Sequence, residues 1–202
     1  MLRHEGVPFD VLPGESLLTI LAFRGGTLAS AGHNHVIASH DLNGTLYVPR
    51  DPTRATLQIR IPVALLKIDE ATLRAPQGAG FPPNVPESAK QGTRRNMLGA
   101  AVLDVADYPD IVLSCEHLQP LTDAVTLRAQ VQVSVRGHTH TISVPVRYTL
   151  QNDRITASGE LPIRQSELGL TPFSTLLGAL QVQDELQVKF RIVARAATLR
   201  GS

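Results

Sequence analysis

Histidine is the side chain here whose spacing most invites chemistry. The seven histidines are His4, His33, His35, His40, His117, His138 and His140. Two pairs stand two residues apart, His33/His35 and His138/His140. On a strand that spacing puts both imidazoles on one face, roughly 6.6–6.8 Å apart along the backbone. Two such pairs on neighbouring strands would offer three or four nitrogens to Zn²⁺ or a similar ion. A metal-binding protein or metal-dependent enzyme built on His33, His35, His138 and His140 is therefore the alternative reading of this chain. No carboxylate or cysteine completes a metal signature around either pair. The plainer reading sets His33 and Asn34 in a loop or strand end with local hydrogen bonds, and His138 at a hairpin tip. Between the two stands a third reading, in which His33 or His35 lines the mouth of a cavity and hydrogen-bonds the polar end of a ligand.

Nucleophilic catalysis has less to work with. Ser39, His40 and Asp41 are consecutive, and neighbours on a strand or turn point apart, so they make no triad. No G-x-S-x-G elbow occurs. Cys115 is the only cysteine, so no intrachain disulfide can form. It falls in a strand with inward parity and reads as a small buried hydrophobe. The acid pairs Asp69/Glu70 and Asp184/Glu185 read as solvated strand ends. Arg94 and Arg95 have the charge to anchor a lipid diphosphate, but two solvated helix residues are the simpler reading. Gly25-Gly26 and Gly78-x-Gly80 are too short for phosphate loops. No catalytic residue is assigned, and the chain is not expected to be an enzyme.

The totals narrow the classes further. Charge is balanced, with 19 Lys+Arg against 18 Asp+Glu, and no basic stripe stands out, so nucleic acid is not an expected partner. With no Trp, five Phe and three Tyr, few rings are available to stack bases or sugars. The N-terminus has no continuous apolar run or cleavage site, so as written it is not a signal peptide, which points to the cytoplasm. No apolar stretch approaches the ~20 residues that span a membrane.

The elements that must position these residues are mostly strands. Val125, Leu127, Ala129, Val131, Val133 and Val135 alternate with polar residues, which is one dry face and one wet face. After an expected hairpin tip at Arg136-Gly137-His138-Thr139, the phase resumes at Ile142, Val144, Val146, Tyr148 and Leu150, with His140 starting the same face. A turn at Asn152-Asp153 leads to Ile155, Ala157, Gly159, Leu161 and Ile163. Leu186, Val188, Phe190, Ile192 and Ala194 make the last run. Earlier strands are expected at 42–48, 55–63 and 111–115, with a first hairpin pairing 17–24 with 27–37 through Gly25-Gly26. Residues 71–93, rich in Pro and Gly, read as a long mobile loop, and 87–105 as one helix. The greasy segment 165–181 reads as a cap on the mouth.

Eight or nine strands, each with one apolar face, leave exposed edges unless the sheet closes. The expected fold is therefore an all-β antiparallel barrel of about eight strands with one or two short helices, in a single domain over 1–202. Small aliphatic side chains on the inner face favour a hollow interior over a filled one. The expected ligand walls are Val131, Val133, Val144, Val146, Ala157, Leu161, Val188 and Phe190, with Leu170, Phe173 and Leu176 at the mouth beside His33 and His35.

The order of the motifs adds a resemblance. Gly32-His33-Asn34-His35-Val36 is followed by Gly44-Thr45-Leu46, a helix, and Asp104-Val105-Ala106-Asp107-Tyr108-Pro109-Asp110-Ile111. Then come the Val135-Arg136-Gly137-His138-Thr139-His140 hairpin, Arg164-Gln165-Ser166-Glu167-Leu168-Gly169, and a closing strand from Asp184. This series resembles the YceI-like family over nearly the whole chain. The resemblance implies a lipocalin-like barrel that binds a polyisoprenoid or another long-chain lipid in an elongated cavity, and it implies the periplasm. The chain departs from the family at Leu46, Leu113 and Leu168, where Phe is usual. The expected function is thus carriage or storage of a polyisoprenoid, quinone or fatty-acid-like lipid. The expected partner is that small apolar ligand, and a homodimer is left open. No cofactor is expected beyond a bound isoprenoid lipid or, on the alternative reading, Zn²⁺ or a similar metal.

Overall fold

A computed structural model of the chain describes residues 5–121 and 126–197. His4 and Val125, which entered the sequence reading, lie outside them. The strands are β1 (Val7–Val11), β2 (Leu17–Gly25), β3 (His35–Ser39), β4 (Asn43–Val48), β5 (Thr56–Pro62) and β6 (Lys67–Ile68). They continue with β7 (Asp110–Pro120), β8 (Thr126–Val135), β9 (His138–Gln151), β10 (Arg154–Arg164), β11 (Ser174–Thr175) and β12 (Leu180–Ala196). Two helices, α1 (Ala71–Arg74) and α2 (Glu87–Leu98), lie between β6 and β7.

Closure depends on the length of β12. One edge of it pairs with β10 from Arg164↔Glu185 to Arg154↔Arg195. Its other edge pairs first with β2 and then, over its last residues, with β1. From β1 the pairing runs through β4, β5, β7, β8 and β9 and returns to β10. The result is a closed antiparallel barrel of eight strands, with β2, β3 and β6 branching from β12. Closure removes the free edges that an open sheet of this size would present.

The alternation in the sequence decides which side chains face in. Along β8, Leu127, Ala129, Val131, Val133 and Val135 are buried while Arg128, Gln132 and the other residues between them are more exposed. Their turns keep that parity. Arg136 (φ 49°) and Gly137 (φ 75°) are both left-handed, the two-residue geometry that suits the strand twist of a hairpin. Gly137 meets this need at little steric cost, and the Tyr108 ring lies 2.8 Å from where a Cβ would stand. Asn152 turns β9 into β10 with φ 56°, a conformation asparagine tolerates.

The differences from the sequence reading fall in the irregular segments. The second strand of the first hairpin begins at His35, because 26–34 form a turn and a short 3-10 helix. β1 was not foreseen. The helix ends at Leu98, before Gly99, and Asp104 sits in a left-handed turn (φ 51°) instead of on a helical face. The Pro-rich segment is packed down: Phe81 and Val85 are buried, and Arg74 has no exposed surface. Phe81 packs with Leu21 and Val36 in a small cluster outside the main core.

Candidate ligand cavity

The barrel is hollow. A cavity of about 1200 Å³ occupies its interior, above the roughly 300–1,000 Å³ of ordinary small-molecule pockets. Its walls are the inward residues of the alternating strands. Val131 and Val133 from β8, Val144 and Val146 from β9, Ala157 and Leu161 from β10, and Val188 and Phe190 from β12 all line it. So do Leu46, Leu113 and Leu168, where shorter side chains than Phe leave more room. Leu170 and Phe173, after β10, line it as well. Leu176 does not. It sits in a left-handed turn beyond β11 (φ 52°) and is 63% exposed, with its neighbour Leu177 also turned to solvent.

α2 covers the end of the cavity where β3 begins. Ala89, Gly92, Thr93, Asn96 and Met97 line the space, and their three-to-four spacing places them on one helical face. Small residues on that face let the helix lie low over the opening. Arg94 fastens it from the other side, donating 2.6 Å to the Leu66 carbonyl and also to that of Ala64. Arg94 is therefore a structural clamp. Neither it nor the exposed Arg95 lines the cavity, so the diphosphate-anchor reading does not fit.

Under α2 the mostly apolar wall carries an ordered polar group. His35 lines the cavity, its Nδ1 2.7 Å from Asp69 Oδ2 and its Nε2 3.3 Å from Thr93 Oγ1. Asp69 also accepts 2.8 Å from the Val36 N–H and pairs with the Arg74 guanidinium. Arg74 in turn donates to the carbonyls of Asn34 and Pro82, both at 2.7 Å, and lies over the Phe81 ring. Asp69 and Arg74 are both fully buried, so the reading of Asp69 as a solvated strand end is overturned. A buried charge must be paired and hydrogen-bonded, and here both are. Burial alone would raise the Asp69 carboxyl; the hydrogen bonds from His35 and Val36, with the charges of His35 and Arg74, outweigh it and hold the group below the usual carboxylate range. With Asp69 on Nδ1, the ring presents Nε2 toward Thr93 and the cavity. Sequence reasoning found His35 and missed Asp69, Arg74 and Thr93, since partners 34 to 58 residues away leave no local signal.

The structure does not bring the two histidine pairs together. His33 also lines the cavity, its ring 6.4 Å from that of His35. His138 and His140 lie on β9, which is separated from β3 by β10, β12 and β2 in the sheet. Successive strands stand about 4.8 Å apart, far beyond a shared coordination sphere. Among the described residues no group of three His, Cys, Asp or Glu side chains is placed to hold a metal ion. His40 pairs with Glu70 at 2.8 Å while Ser39 Oγ accepts from the Asp41 N–H, so these neighbours form no catalytic unit. Cys115 is buried, and burial pushes its thiol pKa up, against a reactive role. Asp184 accepts from Ser166 N–H and Oγ, and these bonds hold its carboxyl low.

The fold has solved relatives of low sequence identity. BcnA of Burkholderia cenocepacia is 18% identical, with a TM-score of 0.65 over 94% of this chain and all of that one. A polyisoprenoid binding domain of Saccharophagus degradans, implicated in plant cell wall breakdown, is 11% identical, with a TM-score of 0.62 over 95% of this chain and 99% of its own. A YceI protein of Campylobacter jejuni is 12% identical, with a TM-score of 0.56 over 78% of this chain and 82% of that one. No curated protein matches the sequence significantly. At the level of sequence families, residues 21–194 match the YceI-like domain. With the match running from β2 to β12 of a closed eight-stranded barrel, this chain belongs to the YceI-like family.

Proposed function

We propose that this protein binds one long-chain apolar molecule, an isoprenoid, quinone or fatty-acid-like lipid, in the barrel interior and carries or stores it. The observation that carries this reading is the 1200 Å³ cavity walled by Val, Leu, Ile and Phe side chains. Apolar surface removed from water is worth about 25 cal/mol per Å². A chain burying several hundred Å² therefore gains on the order of 10 kcal/mol before the cost of ordering its rotors. The polar end of the ligand is assigned to the α2 end, where His35 and Thr93 can exchange hydrogen bonds with a hydroxyl or carbonyl. The Saccharophagus degradans neighbour, described as a polyisoprenoid binding domain, supports the ligand class by analogy of fold. No helix among the described residues is long and apolar enough to cross a membrane, and a carrier of this kind suits the periplasm that the family resemblance implies.

Native mass spectrometry of protein purified without detergent tests the proposal. An added mass that organic solvent extracts as a long-chain lipid is the expected result. Protein that is free of ligand and takes up neither a long-chain alcohol nor a fatty acid would refute it.

A further inference from the structure

β9 is zipped on one edge and half open on the other. Against β8 it pairs without interruption from Thr126↔Arg147 to Val135↔His138. Against β10 the pairing stops at Ser158↔Arg147, although β9 continues to His138 and β10 to Arg164. Pro145 accounts for the break. A Cβ built on Gly159 would stand 2.3 Å from the Pro145 carbonyl oxygen, so that carbonyl faces β10. The N–H and C=O of a strand residue face the same neighbour, so the Pro145 nitrogen faces β10 too, and it has no hydrogen to donate.

Beyond Pro145 the strands part around a second, smaller pocket of about 410 Å³. Ile142, Leu161 and Ile163 line both this pocket and the main cavity. Thr141, Ser143 and Pro162, of the opposite parity, also line it. The pocket is thus bounded by residues of both parities, at the seam where the two strands part. The Nε2 of His140, which lines it, is buried and has no hydrogen-bond partner among the described residues, an unfavourable state unless a ligand group or water meets it.

The segment over this seam is fastened on one side only. Gln165 donates its N–H to the Asp184 carbonyl (2.9 Å) and its Nε2 to that of Gln183 (2.8 Å), and Ser166 donates N–H and Oγ to the Asp184 carboxylate. All these bonds go to β12. Toward β9 the segment offers packing, with Gly169 against the His140 ring; among the described residues none of its hydrogen bonds reaches β9.

We propose that the seam between β9 and β10 is a lateral door through which an amphiphilic chain enters and leaves the cavity. The 165–170 segment is its flap, and His140 is the hydrogen-bonding contact for the passing polar head. The door rests on the reading that the cavity binds an apolar chain. It needs no lifting of α2, which Arg94 clamps in place.

A reversible block tests it. Ser143→Cys puts a thiol on the outer rim of the seam, and Arg95→Cys puts one on the exposed face of α2, outside the cavity lining; the native Cys115 is 1% exposed and stays unlabelled. Each variant is capped with a bulky methanethiosulfonate reagent. Uptake and release of cis-parinaric acid, an intrinsically fluorescent chain, are followed by stopped flow, and the cap is then removed with reductant. The expected result is that the Ser143→Cys cap slows both rates by about tenfold, a barrier change with the affinity held within about threefold. Reduction restores both rates, and the Arg95→Cys cap has little effect. Slowing by the Arg95→Cys cap alone, with binding intact, overturns the door and leaves the cavity reading standing. If cis-parinaric acid does not bind the uncapped protein at all, the cavity reading falls and the door with it.

Discussion

Along β8, Leu127, Ala129, Val131, Val133 and Val135 repeat one local solution five times: an aliphatic side chain on the inner face, a polar one outside. Beneath α2, Asp69 and Arg74 from one segment meet His35 and Thr93 from two others, and each is held by specific partners, although the buried Arg74 Nη2 has none among the described residues. The wall is redundant, because hydrophobic burial is non-directional and scales with area. The polar knot is not, because a buried charge that loses its partner stays buried. The wall should therefore tolerate change in stability and be sensitive in binding, and the knot should behave the other way round.

The most severe break of that contrast is Asp69→Ala, which leaves the Arg74 guanidinium buried without a counter-charge. Loss of one member of such a pair costs about 3–5 kcal/mol, read as a large drop in denaturant midpoint. The double variant Asp69→Ala/Arg74→Met should recover much of that loss. If the single variant melts like wild type, the knot does not hold the α2 end together.

The knot also sets an acid limit. The folded Asp69 carboxyl lies below its ordinary value, so its stabilising contribution is present above the unfolded value of about 3.9. It is lost as pH falls through the lower folded value, since in that window the unfolded chain takes up the proton more readily. Melting curves of wild type should fall through that window more steeply than those of Asp69→Asn. Glu15, Asp51 and Asp184 also lie low, but they are present in both proteins, so the difference isolates Asp69.

In the wall, Val133→Trp should weaken binding of a long-chain alcohol by about tenfold or more, or about 1.4 kcal/mol, while the melting temperature holds or rises as the void fills. A fall in stability with unchanged binding would show that the interior is already occupied by side chains at that level. The smallest effect is expected from Thr93→Val, which removes the hydroxyl beside His35 and keeps the shape. Affinity for a hydroxyl-ended chain should drop a few-fold, within the ~0.5–1.5 kcal/mol of one net hydrogen bond, with that for a plain hydrocarbon unchanged. Equal loss for both ligands would move the polar end of the ligand away from α2.

Much of the barrel was legible from the residues alone. Period-two alternation marked β5, β8, β9, β10 and β12, and Arg136-Gly137 and Asn152 marked their turns, because side-chain direction on a strand follows position by position. The same parity picked out Val131, Val133, Val144, Val146, Ala157, Leu161, Val188 and Phe190 as inward. β1 was missed because five residues with Pro8 among them offer too little pattern. Asp69 was misjudged because an acid beside another acid at a strand end looks solvated until Arg74 and His35 are folded over it. Leu176 was misplaced because apolar character in a turn does not say which way the turn faces.

The sequence by itself determined the strands, their dry faces and the tight turns between them, all of which arise from neighbours a few positions apart. The tertiary structure alone decided that the ring encloses a cavity, that three strands stand between the two histidine pairs, and that β9 and β10 separate past Pro145. Those outcomes depend on how many strands close the ring and on which distant groups meet. Loop closure and charge pairing act between residues tens of positions apart and leave no periodic trace in the chain.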